Sequence, residues 1–85
     1  MNYKLVYTYR ADKDIKRLDT PIKNRIGKTL LRYKEDPFKY AERLTDLSLG
    51  TYRFRIGDYR IIFDIEGSNI VILRVGHRKE IYKRK

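Results

Sequence analysis

Cysteine is absent from this chain of 85 residues, so it can form neither a disulfide framework nor a thiolate metal site. There is a single histidine and the carboxylates are scattered, so no spacing predicts a metal site of another kind. No apolar run is long enough for a secretion signal or a membrane span. A phosphate-binding glycine loop and a Ser-His-Asp order are also missing. These absences predict a small protein of the reducing cytoplasm, with no membrane and no metal among its partners.

Acidic residues are scarce relative to basic ones. The chain has 11 Asp and Glu against 21 Lys and Arg, which leaves a net charge of +10. A charge of this size on one small domain attracts polyanions and makes nucleic acid the first class of partner to consider. A well-solvated basic surface without specific contacts accounts for the charge nearly as well. The choice between these two interpretations depends on where the arginines lie.

The first part of the chain predicts a strand followed by two helices. Residues 3–9 are rich in β-forming side chains that alternate along the chain. From Ala11 the apolar residues recur at helical spacing, and a second amphipathic segment spans 20–36 between a Thr-Pro start signal and an Asp-Pro stop signal. Helices joined this closely run antiparallel. Residues 37–50 follow no regular pattern and predict no defined element.

The second part predicts an antiparallel meander of strands at 51–56, 59–65 and 69–75, separated by Gly-Asp and Gly-Ser turns. Together with the first strand they form a four-stranded, mainly antiparallel sheet. The helical hairpin then packs on one face of this sheet, because an amphipathic helix must bury its apolar side. The sequence therefore predicts an α+β fold in a single domain, 1–85.

A helix pair covers only one face of such a sheet and leaves the other to water or to a partner. In the strand 51–56 apolar residues alternate with Arg53 and Arg55, so both arginines point to the uncovered face. The next strand places Arg60 on the same face, within reach of the first two across the hairpin. The predicted open face is therefore an arginine face.

The strand 69–75 is apolar on both faces, as a central strand is, and His77, Arg78 and Tyr82 follow it. RNA cleavage without a metal uses the ribose 2′-hydroxyl to attack the neighbouring phosphate, and negative charge spreads over the phosphoryl oxygens. Arginine binds phosphate through two N–H groups and stays charged, whereas a general base must lose its proton near neutral pH, as His77 can. Tyr82 can stack on a base or donate to a leaving oxygen.

Each of these side chains also has a purely structural interpretation. His77 is equally compatible with a hydrogen-bonded residue at a strand end, and Tyr82 with an aromatic residue that packs the C-terminal segment on the sheet. Arg53 and Arg55 are compatible with a solvated strand face. Arg60 converges with them only if the predicted sheet is right.

Two segments resemble toxins of the RelE/ParE superfamily: 50–63, GTYRFRIGDYRIIF, and 71–82, VILRVGHRKEIY. The resemblance implies a RelE-like microbial RNase fold, no cofactor, and a toxin of a type II toxin-antitoxin system. Such a toxin cuts mRNA in the decoding site of the ribosome and leaves a cyclic phosphate and a 5′-hydroxyl. The implied partners are a RelB-like antitoxin, the ribosome and mRNA. A ParE-like inhibitor of DNA gyrase and a non-catalytic domain that binds RNA or ribosomes are the alternatives.

The predicted site combines this resemblance with the chemistry above. Its side chains are Arg60, Arg78, His77 and Tyr82 as catalytic residues and Arg53 and Arg55 as RNA-binding residues. Where the best-understood RelE toxins have lysines on the first hairpin strand, one of them proposed as the general base, this chain has arginines, which are poor bases. His77 is therefore predicted to take over the proton transfer.

Overall fold

The structure is a computed structural model that describes residues 2–83 of the chain. Its elements are, in order, β1 (Lys4–Tyr7), α1 (Tyr9–Lys16), α2 (Thr20–Tyr33), α3 (Pro37–Tyr40), β2 (Glu42–Arg43), β3 (Tyr52–Ile56), β4 (Tyr59–Glu66) and β5 (Asn69–His77). The strands form one sheet in the order β1-β5-β4-β3-β2. β1 runs parallel to β5, and the other neighbouring pairs are antiparallel. The predicted α+β class is confirmed, and β5 is central as predicted.

The sheet has five strands, so the prediction of four was wrong. The additional strand, β2, is two residues long and pairs with the edge of β3, with Glu42 opposite Arg53. A strand this short shows no alternation, so no sequence pattern reveals it. Its pairing matters because it sets a carboxylate across from one of the predicted site arginines.

The first strand ends at Tyr7, earlier than the predicted boundary, because Thr8 begins a helix. The Thr8 hydroxyl accepts the Ala11 N–H at 3.1 Å, which is the contact of an N-cap residue. Tyr9, predicted as part of the strand, is the first residue of α1. The local capping contact thus prevails over the β-propensity of the tyrosine.

Helix α1 lies beside the part of β5 that β1 does not reach. The Asp14 carboxylate accepts the Val75 N–H at 3.0 Å and the Arg74 Nε–H at 2.8 Å. A strand edge left by its neighbour would otherwise present an unpaired N–H group. Asp14 therefore takes the place of the missing strand and fixes α1 against the sheet.

The main core lies between the helices and one face of the sheet. Helix α2 contributes Ile26 and Leu30, which are almost fully buried. The sheet side of this core consists of large buried side chains from the three long strands: Phe54, Ile56, Ile61, Phe63, Ile70, Ile72 and Val75. Each such side chain stabilises the fold by about 1.5–3 kcal/mol relative to exposure.

The opposite face is not as open as predicted. Ile62 is completely buried there, beneath Leu44 and Ile81. Ile81 lies in the turn that follows β5, where its N–H donates to the His77 carbonyl at 2.9 Å. This turn folds back on the sheet across Gly76, where a Cβ would lie 3.0 Å from Ile81 Cδ1. Of the predicted basic tail, 79–85, the structure describes residues as far as 83, and its last two residues lie outside the described part.

Candidate functional site

The hairpin of β3 and β4 brings the predicted arginines to one face of the sheet. Its register pairs Arg55 directly with Arg60. Arg53 is two residues earlier on β3 and therefore points to the same side. Like charges directly opposite each other destabilise an antiparallel pair. The fold keeps Arg55 and Arg60 together although their charges repel each other. Such a concentration of positive charge is suited to binding a polyanion.

Arg60 is the buried member of this set, with 5% of its surface exposed. Its Nη1 donates to the carbonyls of Gly57 at 2.9 Å and Tyr59 at 3.0 Å. Burial lowers the pKa of Arg60 from its ordinary value and the charge of Arg55 adds to that effect, yet a guanidinium stays charged at neutral pH. Within residues 2–83 no carboxylate pairs with Arg60. A buried cation without a counter-ion is costly, and a bound phosphate would supply the missing negative charge.

Arg53 connects the edge strand with the C-terminal turn. Its Nε donates to Glu42 Oε1 at 2.8 Å, and its Nη1 donates to the Tyr82 hydroxyl at 2.7 Å. Arg55 Nη1 lies 3.6 Å from the other carboxylate oxygen of Glu42. The hydrogen bond from Arg53 is the main cause that lowers the pKa of Glu42, and the same bond raises the pKa of Arg53. Glu42 is therefore an ionised carboxylate held between two arginines.

The predictions from sequence did not include Glu42 in the site. It lies in the stretch 37–50, which has no periodicity, and nothing in the chain marks it as a neighbour of Arg53. Only the pairing of β2 with β3 brings the two together. A lone carboxylate within an irregular segment is too common to be a signal by itself.

Arg78 is fixed to the turn between β3 and β4. Its backbone N–H donates to the Asp58 carbonyl at 2.7 Å, and its Nε lies 3.7 Å from Asp58 Oδ1. Arg60 donates to the Gly57 carbonyl of the same turn, so the two arginines lie at one end of the hairpin, and the charge of Arg78 is one of the smaller causes that lower the pKa of Arg60. We call Arg53, Arg55, Arg60 and Arg78 the arginine cluster.

The same turn is covered from the helix side by Arg25 of α2. Gly57 has a φ of +60°, and a Cβ at this position would lie 2.8 Å from Arg25 Nη1. Glycine thus serves two purposes here, a left-handed backbone and room for a guanidinium. Among the described residues Arg25 forms no ion pair, so it adds a further cation at the end of the hairpin. This cation was not predicted from the sequence.

His77 lies on the other face of the sheet from Arg60. The register pairs His77 with Tyr59, and Arg60, the next residue of β4, points the opposite way. The rings of His77 and Tyr59 meet edge to face at 5.4 Å, and Nδ1 of His77 accepts the Lys79 N–H at 3.1 Å. The structure therefore does not bring His77 into the arginine cluster. Its predicted proton transfer stays a prediction.

Between residues 2 and 83, no group of three or more His, Asp or Glu side chains is placed to hold an ion. In the same part of the chain, no helix has the length and apolar character needed to cross a membrane.

The mixed sheet backed by helices, with a cluster of arginines on one face, defines a small basic α+β protein. A family model described as the ParE toxin of the type II toxin-antitoxin system parDE matches residues 5–82. Toxin RelG of Mycobacterium tuberculosis is 31% identical, over 99% of this chain and 100% of its own. Toxin RelE3 of Methanocaldococcus jannaschii is 32% identical, over 93% of this chain and 94% of its own. The chain belongs to the RelE/ParE superfamily, as a type II toxin of the RelE family.

Solved structures agree with this assignment. A chain of the toxin-antitoxin complex RelBE2 from Mycobacterium tuberculosis matches with a TM-score of 0.82 and 27% identity, over 92% of this chain and 100% of that chain. A chain of the RelB-RelE antitoxin-toxin complex from Methanococcus jannaschii matches with a TM-score of 0.73 and 26% identity, over 94% and 98%. E. coli toxin RelE in the free state shares the fold, with a TM-score of 0.77 and 23% identity, over 96% and 92%. The predicted family is confirmed, and relatives were crystallised with antitoxins.

Proposed function

We propose that this protein is a ribosome-dependent endoribonuclease that cuts mRNA in the decoding site and is neutralised by a RelB-like antitoxin. The observation that carries the proposal is Arg60, a buried cation without a carboxylate partner among residues 2–83, at the centre of the arginine cluster. A side chain buried at such a cost is explained by a ligand that brings negative charge. Toxins of the RelE family are ribosome-dependent RNases, which supports the RNA backbone as that ligand.

The proposed reaction is attack of a ribose 2′-hydroxyl on its own 3′-phosphate. Negative charge builds on the phosphoryl oxygens as the bond to the leaving 5′-oxygen breaks, and that oxygen takes a proton from water to become the 5′-hydroxyl. Arg60 and Arg78 stabilise that charge, because fixed donors aimed at developing charge lower the barrier without reorganisation. Arg53 and Arg55 bind the phosphate beside them, and the Tyr82 hydroxyl, already held by Arg53, orients the reacting nucleotide.

Glu42 is the proposed acceptor of the proton from the 2′-hydroxyl. Among the side chains that contact Arg53 and Arg55 it is the group able to accept a proton near neutral pH, since the other contact is the Tyr82 hydroxyl. Its bond to Arg53 weakens it as a base. An RNA phosphate competes for Arg53 and Arg55, and as they turn to the phosphate the pKa of Glu42 rises toward its usual range. Substrate binding would thus activate the base.

His77 is the competing acceptor, as predicted from the sequence. Its ring would have to leave Tyr59 and swing around the end of β5 to reach the cluster. Its position instead supports a structural role, since its Nδ1 and its carbonyl accept N–H groups of the turn that carries Arg78 and Tyr82.

Cell-free translation with mapping of mRNA 5′ ends tests the proposal. We expect cuts within codons on translating ribosomes, cyclic phosphate ends, and little cleavage of the same RNA without ribosomes. Efficient cleavage of naked RNA would exclude ribosome dependence. Ribosome binding without cleavage at any codon would identify a non-catalytic domain.

A gyrase inhibitor is the second candidate, because the matching family model is described as a ParE toxin. The arginine cluster is less easily explained by that function, since binding a protein does not require a buried cation without a carboxylate partner. DNA breaks linked to gyrase, in cells whose mRNA stays intact, would decide for the ParE-like activity.

A further inference from the structure

A cavity of about 350 Å³ lies next to the arginine cluster and has no part in the reaction proposed above. One side is formed by the end of β2 and the loop that follows it, through residues 43–46 and Leu49. The other side is formed by Arg53 and Tyr82, which also belong to the candidate site. The cavity and the site are therefore continuous, and whatever fills the cavity lies beside the group held by the cluster.

The walls of this cavity are suited to a flat aromatic ligand with polar edges. Leu44 is 8% exposed and packs with Leu49 around the buried Ile62, which makes a firm apolar wall. The Tyr82 ring faces the same space, and its hydroxyl is fixed by Arg53 at 2.7 Å. Proteins that bind single-stranded RNA commonly combine aromatic and apolar stacking surfaces with nearby cations.

The rim of the cavity is polar and preformed. Arg43, Thr45 and Asp46 line it, so its polar lining includes charges of both signs and a hydroxyl. The Asp46 carboxylate accepts the backbone N–H and the hydroxyl of Ser48 at 3.1 and 2.6 Å, which fixes the loop before any ligand arrives. A preformed rim favours one ligand edge over another, because a polar group that loses its partner is costly.

We infer that this cavity holds the nucleobase next to the cleaved phosphate and that residues 43–49 set the base preference at that position. We call it the base pocket. The inference rests on the proposed RNA cleavage and adds to it the class of ligand and the segment that selects it. A base whose edge pairs with the polar rim should be preferred over another base by about 1–3 kcal/mol, so filling the base pocket should change the relative cleavage of two codons by about 5- to 150-fold.

The test compares three tryptophan variants within one loop. Thr45→Trp and Leu49→Trp place a large side chain in the base pocket from different positions, and Thr45 is exposed, so its replacement does not disturb a core. Leu47→Trp is the matched control, because Leu47 is 61% exposed and does not line the cavity. Single-turnover cleavage is measured on ribosomes with codons that differ in one base. We expect Thr45→Trp and Leu49→Trp to change the ratio between codons, and Leu47→Trp to keep the wild-type ratio.

Two results would overturn the base pocket while the proposed function stands. One is a folded Thr45→Trp variant with the wild-type rate and codon ratio. The other is an equal loss of rate at every codon, which would indicate an obstructed RNA path without base selection.

Binding gives a readout that does not depend on cleavage. Nucleoside 5′-monophosphates titrated into the wild-type protein should shift the backbone NMR signals of residues 43–49 to different extents for different bases. Absent or base-independent shifts would contradict the inference. A wild-type protein that shows base-dependent shifts but cuts no mRNA would retain the base pocket and refute the proposed function.

Discussion

At the scale of single residues, the protein is defined by a buried arginine that has no carboxylate partner within residues 2–83. One guanidinium nitrogen of Arg60 donates to two backbone carbonyls of its own hairpin, and Arg60 lies directly across from Arg55. Neither feature stabilises the folded protein, because burial and the nearby charge of Arg55 both disfavour the charged form of the Arg60 guanidinium. The arrangement is understandable if stability at this position has been exchanged for binding of phosphate.

Arg60→Ala should lower the single-turnover cleavage rate by about 10²–10³-fold, by analogy with the loss of one donor to a developing oxyanion. Ribosome binding should persist, because the other cations of the surface remain. Rapid-mixing cleavage assays and ribosome pelleting measure the two quantities. Arg32→Ala is the control, since Arg32 lies on α2 with its guanidinium 5.5 Å from the Tyr33 ring, outside the cluster. Equal effects of both variants would show that only total charge matters.

Glu42→Gln and His77→Ala separate the two candidate proton acceptors. If Glu42 accepts the proton, Glu42→Gln lowers the single-turnover rate about 10²–10⁴-fold and flattens its pH profile. His77→Ala should leave the shape of the pH profile unchanged and lower the Tm, since it removes the contact with Tyr59. The measurements are rate against pH and thermal unfolding for each variant. The opposite outcome would assign the proton transfer to His77.

The pKa of Glu42 also predicts how stability depends on pH. It is lower in the folded protein than its ordinary value of 4.5, because Arg53 donates to the carboxylate. The stabilisation is therefore fully present above the unfolded pKa and is lost as the pH falls through the lowered value. Urea unfolding at neutral pH and at about pH 3 should show Glu42→Gln destabilised mainly at neutral pH. Glu66→Gln, at the exposed end of β4 and outside the ion pairs of residues 2–83, should show no such difference, and an equal response of the two variants would contradict the prediction.

At the scale of elements, the hairpin of β3 and β4 organises the site. Its turn provides the Gly57 carbonyl to Arg60 and the Asp58 carbonyl to the Arg78 backbone, and Arg25 covers it from α2. Two cations of the cluster and one cation of the helix thus depend on the geometry of a single turn.

Gly57→Ala should be more damaging than Gly67→Ala, although both glycines have nearly the same φ, +60° and +61°. A left-handed backbone costs an alanine about 1–2 kcal/mol in each case. At Gly57 the new Cβ also displaces Arg25, whereas at Gly67 nothing lies within 4 Å. Because the Arg25 guanidinium is the end of a flexible side chain and can move aside at little cost, urea unfolding should show similar losses of stability for the two variants, and cleavage assays should show a selective loss of activity for Gly57→Ala. If the two variants lost the same stability and the same activity, the contact with Arg25 would be irrelevant.

At the scale of the whole molecule, the net charge and the exposed apolar side chains both favour binding of a partner protein. The chain carries a net charge of +10, and Leu31, Phe38 and Leu47 are more than half exposed. Homologues were crystallised in complex with antitoxins. An acidic segment with apolar side chains would complement such a surface in charge and in hydrophobicity.

Expression of this chain alone should therefore stop bacterial growth, and co-expression of the small acidic protein encoded beside it should restore growth. The two proteins should also co-purify at low salt, with an association that weakens as salt rises. Growth curves and pull-down assays provide the measurements. A chain that is harmless alone and binds no neighbouring gene product would contradict the toxin function in this organism. Arg60→Ala supplies the control, since it should abolish toxicity and still bind the antitoxin.

Part of this protein could be predicted from the sequence because local rules sufficed. The alternation of Arg53 and Arg55 with apolar residues determined the arginine face, and the glycine turn determined the register that sets Arg60 beside them. The helix start and stop signals were likewise local, and the predicted α+β class followed from the order of the elements. The resemblance to the RelE/ParE superfamily could be recognised from segments 50–63 and 71–82.

Only the tertiary structure decided the rest of the candidate site. Glu42 joins Arg53 through a two-residue strand that has no periodicity of its own. The burial of Arg60 was not predicted either: its side chain is 5% exposed and donates to the carbonyls of Gly57 and Tyr59. The face on which His77 lies is set by a β-bulge. Ile62 pairs with Arg74 but Phe63 pairs with Ile72, so β5 carries one extra residue at this point. The side chains of a strand alternate between its two faces with a period of two, so one inserted residue exchanges the faces for every residue beyond it. The bulge therefore turns His77 away from the arginine cluster, which only the tertiary structure reveals.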